Sequence, residues 1–230
     1  MLKNNNQEDR HYLESYLDLL SLLGMKFTDK DKYVEKHLTV EEMIETRQLL
    51  KNNKITEKDL LVSFQAGAKW ENKRWSYKNF GKLAKKLIEH NKHIKVILLG
   101  SPEEFELNEK IKAYSPNIIN LSGKISLTGV AGVLKLSKLA VGNDSGLMHL
   151  AGAVNIPNIV LSGVGNPHHS RVLSKTSKKS IVIHKNNFCK PCMTDNKDCK
   201  LKYKCMKVIK VDDVIYEIKR GNSQWNLKLF

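Results

Sequence analysis

The sequence predicts a doubly wound α/β domain, a parallel sheet covered by helices on both faces, preceded by a helical segment. Three observations carry this expectation. From residue 60 onward, short apolar runs of strand length alternate with helix-periodic stretches, the pattern of a parallel sheet buried on both faces. Residues 1–59 hold no strand-like run and read as helices joined by a polar, lysine-rich connector. Glycine, proline and capping residues stand at the joints between the stretches.

Each element has its own warrant. A first helix is expected over 11–24, where Tyr12, Leu13, Tyr16, Leu17, Leu20 and Leu23 recur at helical spacing and Gly24 supplies a stop. A second opens with a capping box, Thr39 followed by Glu42, and runs to Asn52 and Asn53. These form a linker or flanking segment, 1–59, ahead of the α/β domain at 60–230. Strands are expected over 60–64, 94–99, 118–121, 139–141, 158–161 and 180–184. Between them a helix at 77–91 places Tyr77, Phe80, Leu83, Ala84, Leu87 and Ile88 on one face. Another starts at Ser101 and Pro102, with Glu104 closing a capping box. Further helices cover 126–137, 145–154 and, closing the chain, 212–220.

Composition narrows the class. With 230 residues and 41% hydrophobic content the chain can bury a core. The densest apolar run, 96–99, is strand-sized, far below the ~18 residues of a membrane-spanning helix. The polar start lacks an apolar leader and a cleavage site, so a soluble cytoplasmic protein is expected. The net charge is +15, and lysine supplies 34 of the 39 basic residues. It is uneven: residues 1–60 carry −2, the remainder +17, and 171–210 alone +10. Two readings fit that basic segment, a solvated lysine face and a surface for phosphates on nucleic acid, lipid head groups or a glycan.

In a doubly wound sheet, ligands sit beyond the carboxyl ends of the strands. Four loops lie there. After 60–64 and the polar Gln65 come Ala66, Gly67 and Ala68, small residues that admit a ligand to the backbone, then Lys69, Lys73 and Arg74. The turn 100–104 and the stretch 123–126 are the second and third. After 139–141 the run Gly142-Asn143-Asp144-Ser145-Gly146-Leu147-Met148-His149 starts a helix with Asp144 or Ser145 as cap, and its free amides make an anion site. Alone, each loop also reads as ordinary: a capped helix, solvated lysines, a satisfied core histidine at His149. Their placement on one sheet edge points to a shared site.

The runs "GAKWENKRW", "VILLGSPEE" and "NLSGKISLTGVAGVLKLSKLAVGNDSGLMHLAGAVNIPNIVLSG" resemble family 9 glycosyltransferases, the heptosyltransferases of lipopolysaccharide assembly. The terminal "CKPC…C…CM" is similar to that family as well, and the resemblance covers roughly 60–206. It implies a GT-B-type protein of two facing Rossmann-like halves, of which this chain is the C-terminal, donor-binding one. The implied donor is an ADP-heptose type of nucleotide sugar and the acceptor a lipopolysaccharide core at the inner face of the cytoplasmic membrane. The resemblance also implies transfer without a bound metal, so no cofactor is expected. The family's N-terminal half binds the acceptor and carries the base, and nothing before residue 60 resembles it. No catalytic residue is therefore expected here; a fragment, a split gene product completed by an N-terminal-domain partner chain, and the product of a decaying gene all fit.

By the same resemblance, Lys73 and the amides around Asp144, Ser145, Gly146 and Leu147 meet the diphosphate. Asp144 suits sugar hydroxyls or the helix cap, and His149 reaches a phosphate or a sugar hydroxyl. Glu103, or its neighbour Glu104, accepts from the ribose; Ile125 packs on the adenine; Gly67 and Ala68 border the sugar. Cys189, Cys192, Cys199 and Cys205 fit either a structural zinc or reduced, partly buried thiols. A different class, a nucleic-acid-binding protein using the basic cysteine-containing loop 185–210, is the alternative. It is disfavoured because Phe188 and Tyr203 are the only aromatics there, so no nucleic-acid partner is expected.

Overall fold

The computed structural model describes residues 10–28, 31–176, 179–185, 199 and 201–230. Six strands form one sheet: β1 Leu60–Gln65, β2 Ile94–Leu99, β3 Ile118–Asn120, β4 Leu139–Asn143, β5 Asn158–Ser162 and β6 Ser180–His184. The order is β3-β2-β1-β4-β5-β6, and every pairing is parallel. The expected doubly wound α/β architecture is thus present, with each strand within two residues of its sequence-read limits. The order reverses between β1 and β4, which pair from Val62 with Leu139 to Gln65 with Gly142, so the ligand crevice of such a sheet opens there.

Helices cover both faces. On one, α3 Tyr77–His90, α4 Phe105–Lys112 and α9 Val211–Gln224 bury Phe80, Leu83, Leu87, Ile111, Val214 and Ile218 against Val62 and Phe64. On the other, α5 Leu127–Leu136 and α6 Gly146–Ala153 bury Val130, Val133, Met148 and Ala151 against Leu61, Ile97 and Leu99. Alternate residues of β1 feed opposite layers, the two-residue period of a strand buried on both sides. The last helix extends four residues past its expected end at Arg220. Two four-residue helices, α7 Pro167–Ser170 and α8 Lys204–Lys207, are too short to leave a periodic trace in the sequence.

The segment ahead of β1 divides in two. α2 Val40–Asn52 starts at the expected capping box, Thr39 N–H donating to Glu42 Oε2 at 2.8 Å. It carries Leu50 into the core and lies against α5 at Gly132, where an added Cβ would stand 2.0 Å from Thr46 Oγ1. α1 Tyr12–Ser21 buries none of its residues; its apolar stripe faces the ligand crevice and solvent instead of a core. Among the described residues, no helix is long and apolar enough to cross a membrane.

Candidate functional site

One carboxamide organises the crevice. Asn143, fully buried at the end of β4, donates from Nδ2 to the carbonyls of Ala66 (2.8 Å) and Gly67 (3.0 Å), and its Oδ1 accepts from Trp75 N–H at 2.9 Å. The loops after β1 and β4 are thereby fixed to one another. Trp75 is anchored from below, its indole N–H donating to Ile209 O at 2.8 Å.

A cavity of ≈1060 Å³ opens above this clasp. Of the residues singled out from sequence, Ala68, Ile125, Ser145, Gly146, Leu147 and His149 line it. Lys73 and Asp144 lie beside it and hold each other, Nζ to Oδ2 at 3.0 Å, with both side chains mostly buried. The Lys73 ammonium also stands 5.4 Å from the centre of the Trp70 ring. His149 keeps water access through the cavity mouth, yet enough protein surrounds it that burial lowers its pKa. Asp144 opposes that shift and Lys73 adds to it.

Two expectations are corrected. Neither Asp144 nor Ser145 caps α6: Asp144 turns to Lys73, while Ser145 holds the N-cap position without a side-chain cap bond. Its Oγ is buried with no hydrogen-bond partner among the described residues. The α6 start therefore faces the cavity uncapped. Second, Glu103 is exposed and lines only a recess of ≈400 Å³ beside Arg74; Glu104 is the carboxylate on the main cavity. Glu104 Oε2 accepts from Ser101 N–H at 3.0 Å, which folds it back over the loop. Burial holds its pKa above the ordinary carboxyl value, with the Ser101 amide and Arg74 pulling the other way. Gly67 stands directly against Glu104: a Cβ there would fall 1.6 Å from Glu104 Oε1.

Residues that the sequence did not mark also line the cavity: Gln65 at the end of β1, His169 and Ser170 from α7, and His11, Tyr12 and Tyr16 from α1 or its cap. His11 caps α1, Nδ1 accepting from Leu13 N–H at 3.1 Å and Nε2 donating to Arg171 O at 3.0 Å. That pair of bonds requires the neutral ring with its proton on Nε2. Cys189 and Cys192 lie outside the described residues, so the zinc expectation does too; Cys205 is buried in the apolar core. The basic stretch 171–210 also lies partly outside them.

A parallel sheet in this order, with an uncapped helix start, a lysine and a buried carboxylate around its switch point, defines a Rossmann-like fold with a crevice at the carboxyl ends of its central strands. The model of glycosyltransferase family 9 (heptosyltransferase) matches residues 2–203, and the chain belongs to that family. It is 33% identical over 150 residues to lipooligosaccharide heptosyltransferase 2 of Haemophilus influenzae, covering 61% of this chain and 43% of that protein. The structure of E. coli ADP-heptose lps heptosyltransferase II superposes with a TM-score of 0.68 at 25% identity, over 83% of this chain and 54% of that one. A family 9 glycosyl transferase from Veillonella parvula shares the fold with a TM-score of 0.73 at 21% identity, over 95% of this chain and 62% of that one. The chain thus spans about half the length of these relatives.

Proposed function

We propose that the cavity between the ends of β1 and β4 binds a nucleotide sugar of the ADP-heptose kind, and that this chain supplies the donor side of heptose transfer to a lipopolysaccharide core. The observation that carries the reading is the uncapped start of α6 opening on the cavity beside Lys73. As the anomeric C–O bond breaks, negative charge grows on the leaving diphosphate. The α6 amides, aligned with the helix dipole, and the Lys73 ammonium would neutralise it without a metal. Glu104 would accept from the ribose hydroxyls and Ile125 would pack on the base. Asp144 and His149 would serve the sugar and the phosphates.

The test is calorimetric titration of ADP in EDTA. Binding without divalent metal is expected, and no heat at millimolar ADP would overturn the reading. The acceptor wall and the base are assigned to an N-terminal-type half outside these 230 residues. A polypeptide of these 230 residues should therefore release no ADP from ADP-heptose in an acceptor-dependent manner. Turnover by that polypeptide would refute the assignment. The reading places the reaction in the cytoplasm, at the inner face of the membrane, where the +10 segment 171–210 would meet anionic lipid. Salt-sensitive partitioning onto anionic vesicles is expected, and equal partitioning onto neutral ones would count against it.

A further inference from the structure

Gln65 ends the central strand, and its side chain emerges on the α5 and α6 side of the sheet, at the cavity wall. The residue is only 5% exposed, yet its Oε1 has no hydrogen-bond partner among the described residues. A buried amide oxygen left unbonded is destabilising, and a leucine or methionine would suit the neighbouring Gly142 and Met148 better. Gly142 carries no side chain at the point of closest approach, where a Cβ would stand 2.8 Å from Gln65 Cβ. The fold therefore accommodates a polar group here without using it. Ser145 Oγ, a second buried and unpartnered polar atom, lines the same cavity.

We propose that Gln65 is a further ligand-binding residue, its carboxamide hydrogen-bonding the junction between the ribose and the diphosphate of the bound nucleotide. The inference rests on the nucleotide-sugar reading above. Its position argues for the junction: Gly100 and Glu104 line the cavity on the β2 side of β1, Ser145 and Gly146 on the β4 side. A carboxamide donates two protons and accepts two, so it serves an anionic phosphate oxygen and a neutral hydroxyl without adding charge. Lys73 already provides the cation at that edge.

The experiment is titration of ADP and of adenosine into the wild-type chain, Gln65→Met and Gln65→Glu, with the melting temperature of each. Methionine should weaken ADP about tenfold or more, the worth of a hydrogen bond to a charged group. It should also raise the melting temperature, because the unpaired amide is gone. Glutamate should weaken ADP further, by repulsion, while changing adenosine by less than about threefold. Unchanged ADP affinity in Gln65→Met would overturn the proposal, and so would equal losses for ADP and adenosine in Gln65→Glu. If the glutamate variant does not fold, the methionine variant decides alone. Wild-type chain that binds no ADP would sink the nucleotide reading itself; wild type that binds while Gln65→Met is unaffected would sink only the role of Gln65.

Discussion

Lys73 and Asp144, 71 positions apart in sequence, meet at 3.0 Å beside the start of α6. The cation assigned to the diphosphate is thus already partnered in the free chain, and ligand must compete for it. Lys73→Ala is expected to weaken ADP by about 1–3 kcal/mol. Asp144→Asn should release the ammonium and strengthen ADP, by up to about 1 kcal/mol for a partly screened pair, while weakening the full nucleotide sugar. Titrations of ADP and ADP-heptose into both variants separate these effects. Asp144→Asn weakening ADP as much as Lys73→Ala does would rule out the competition.

The two neighbouring glutamates should behave differently. Glu104 lines the cavity and Glu103 is turned to solvent. Glu104→Gln is expected to cost adenosine binding about 1 kcal/mol or more, and Glu103→Gln to leave it unchanged. The reverse order of effects would return the ribose contact to Glu103.

Gly132→Ala tests whether α2 is held in the domain. The new methyl would meet the buried, β-branched Thr46 side chain, which has little freedom to yield. A loss of about 1–3 kcal/mol in urea unfolding is expected. An unshifted midpoint would mean that α2 does not rest on α5 in solution.

The α1 cap should be acid-labile. Burial lowers the His11 pKa below its usual 6.5, with Arg171 and His149 adding to the effect against the Arg171 carbonyl and Glu14. A depressed histidine contributes stability that is present above about pH 6.5 and lost as pH falls through the folded value. Protonated Nδ1 can no longer accept from Leu13 N–H. Hydrogen exchange at the α1 amides should therefore accelerate on acidification more than exchange in the sheet. His11→Asn, which keeps a cap acceptor but does not titrate, should remove that extra dependence. Equal acceleration in wild type and His11→Asn would contradict the assignment. His149, shifted in the same direction, adds to the global acid sensitivity.

The sheet was legible because each strand is a contiguous apolar run; the partners within the site were not, because they depend on which loops meet. Periodicity identifies α1 but cannot say that Tyr12 and Tyr16 face a cavity, since a stripe buried in a core and one lining a crevice look alike. Gln65 reads as the polar end of a strand. The choice between Glu103 and Glu104 did have a signal: a residue that closes a capping box folds back toward the start of its helix, and so toward the ligand edge. Asn143 left no trace, because its role rests on loops 76 and 77 residues away.

That same Asn143 has a kinetic consequence. With the loops after β1 and β4 tied through one side chain, the cavity floor cannot spread to admit a ligand or narrow around it without breaking three hydrogen bonds at once. Entry and release must then be governed by the rim, where α1 and the turn at Pro102–Glu104 bury none of their residues. Residence time would follow how tightly α1 is fastened, while discrimination between ligands would be fixed by a floor that does not move.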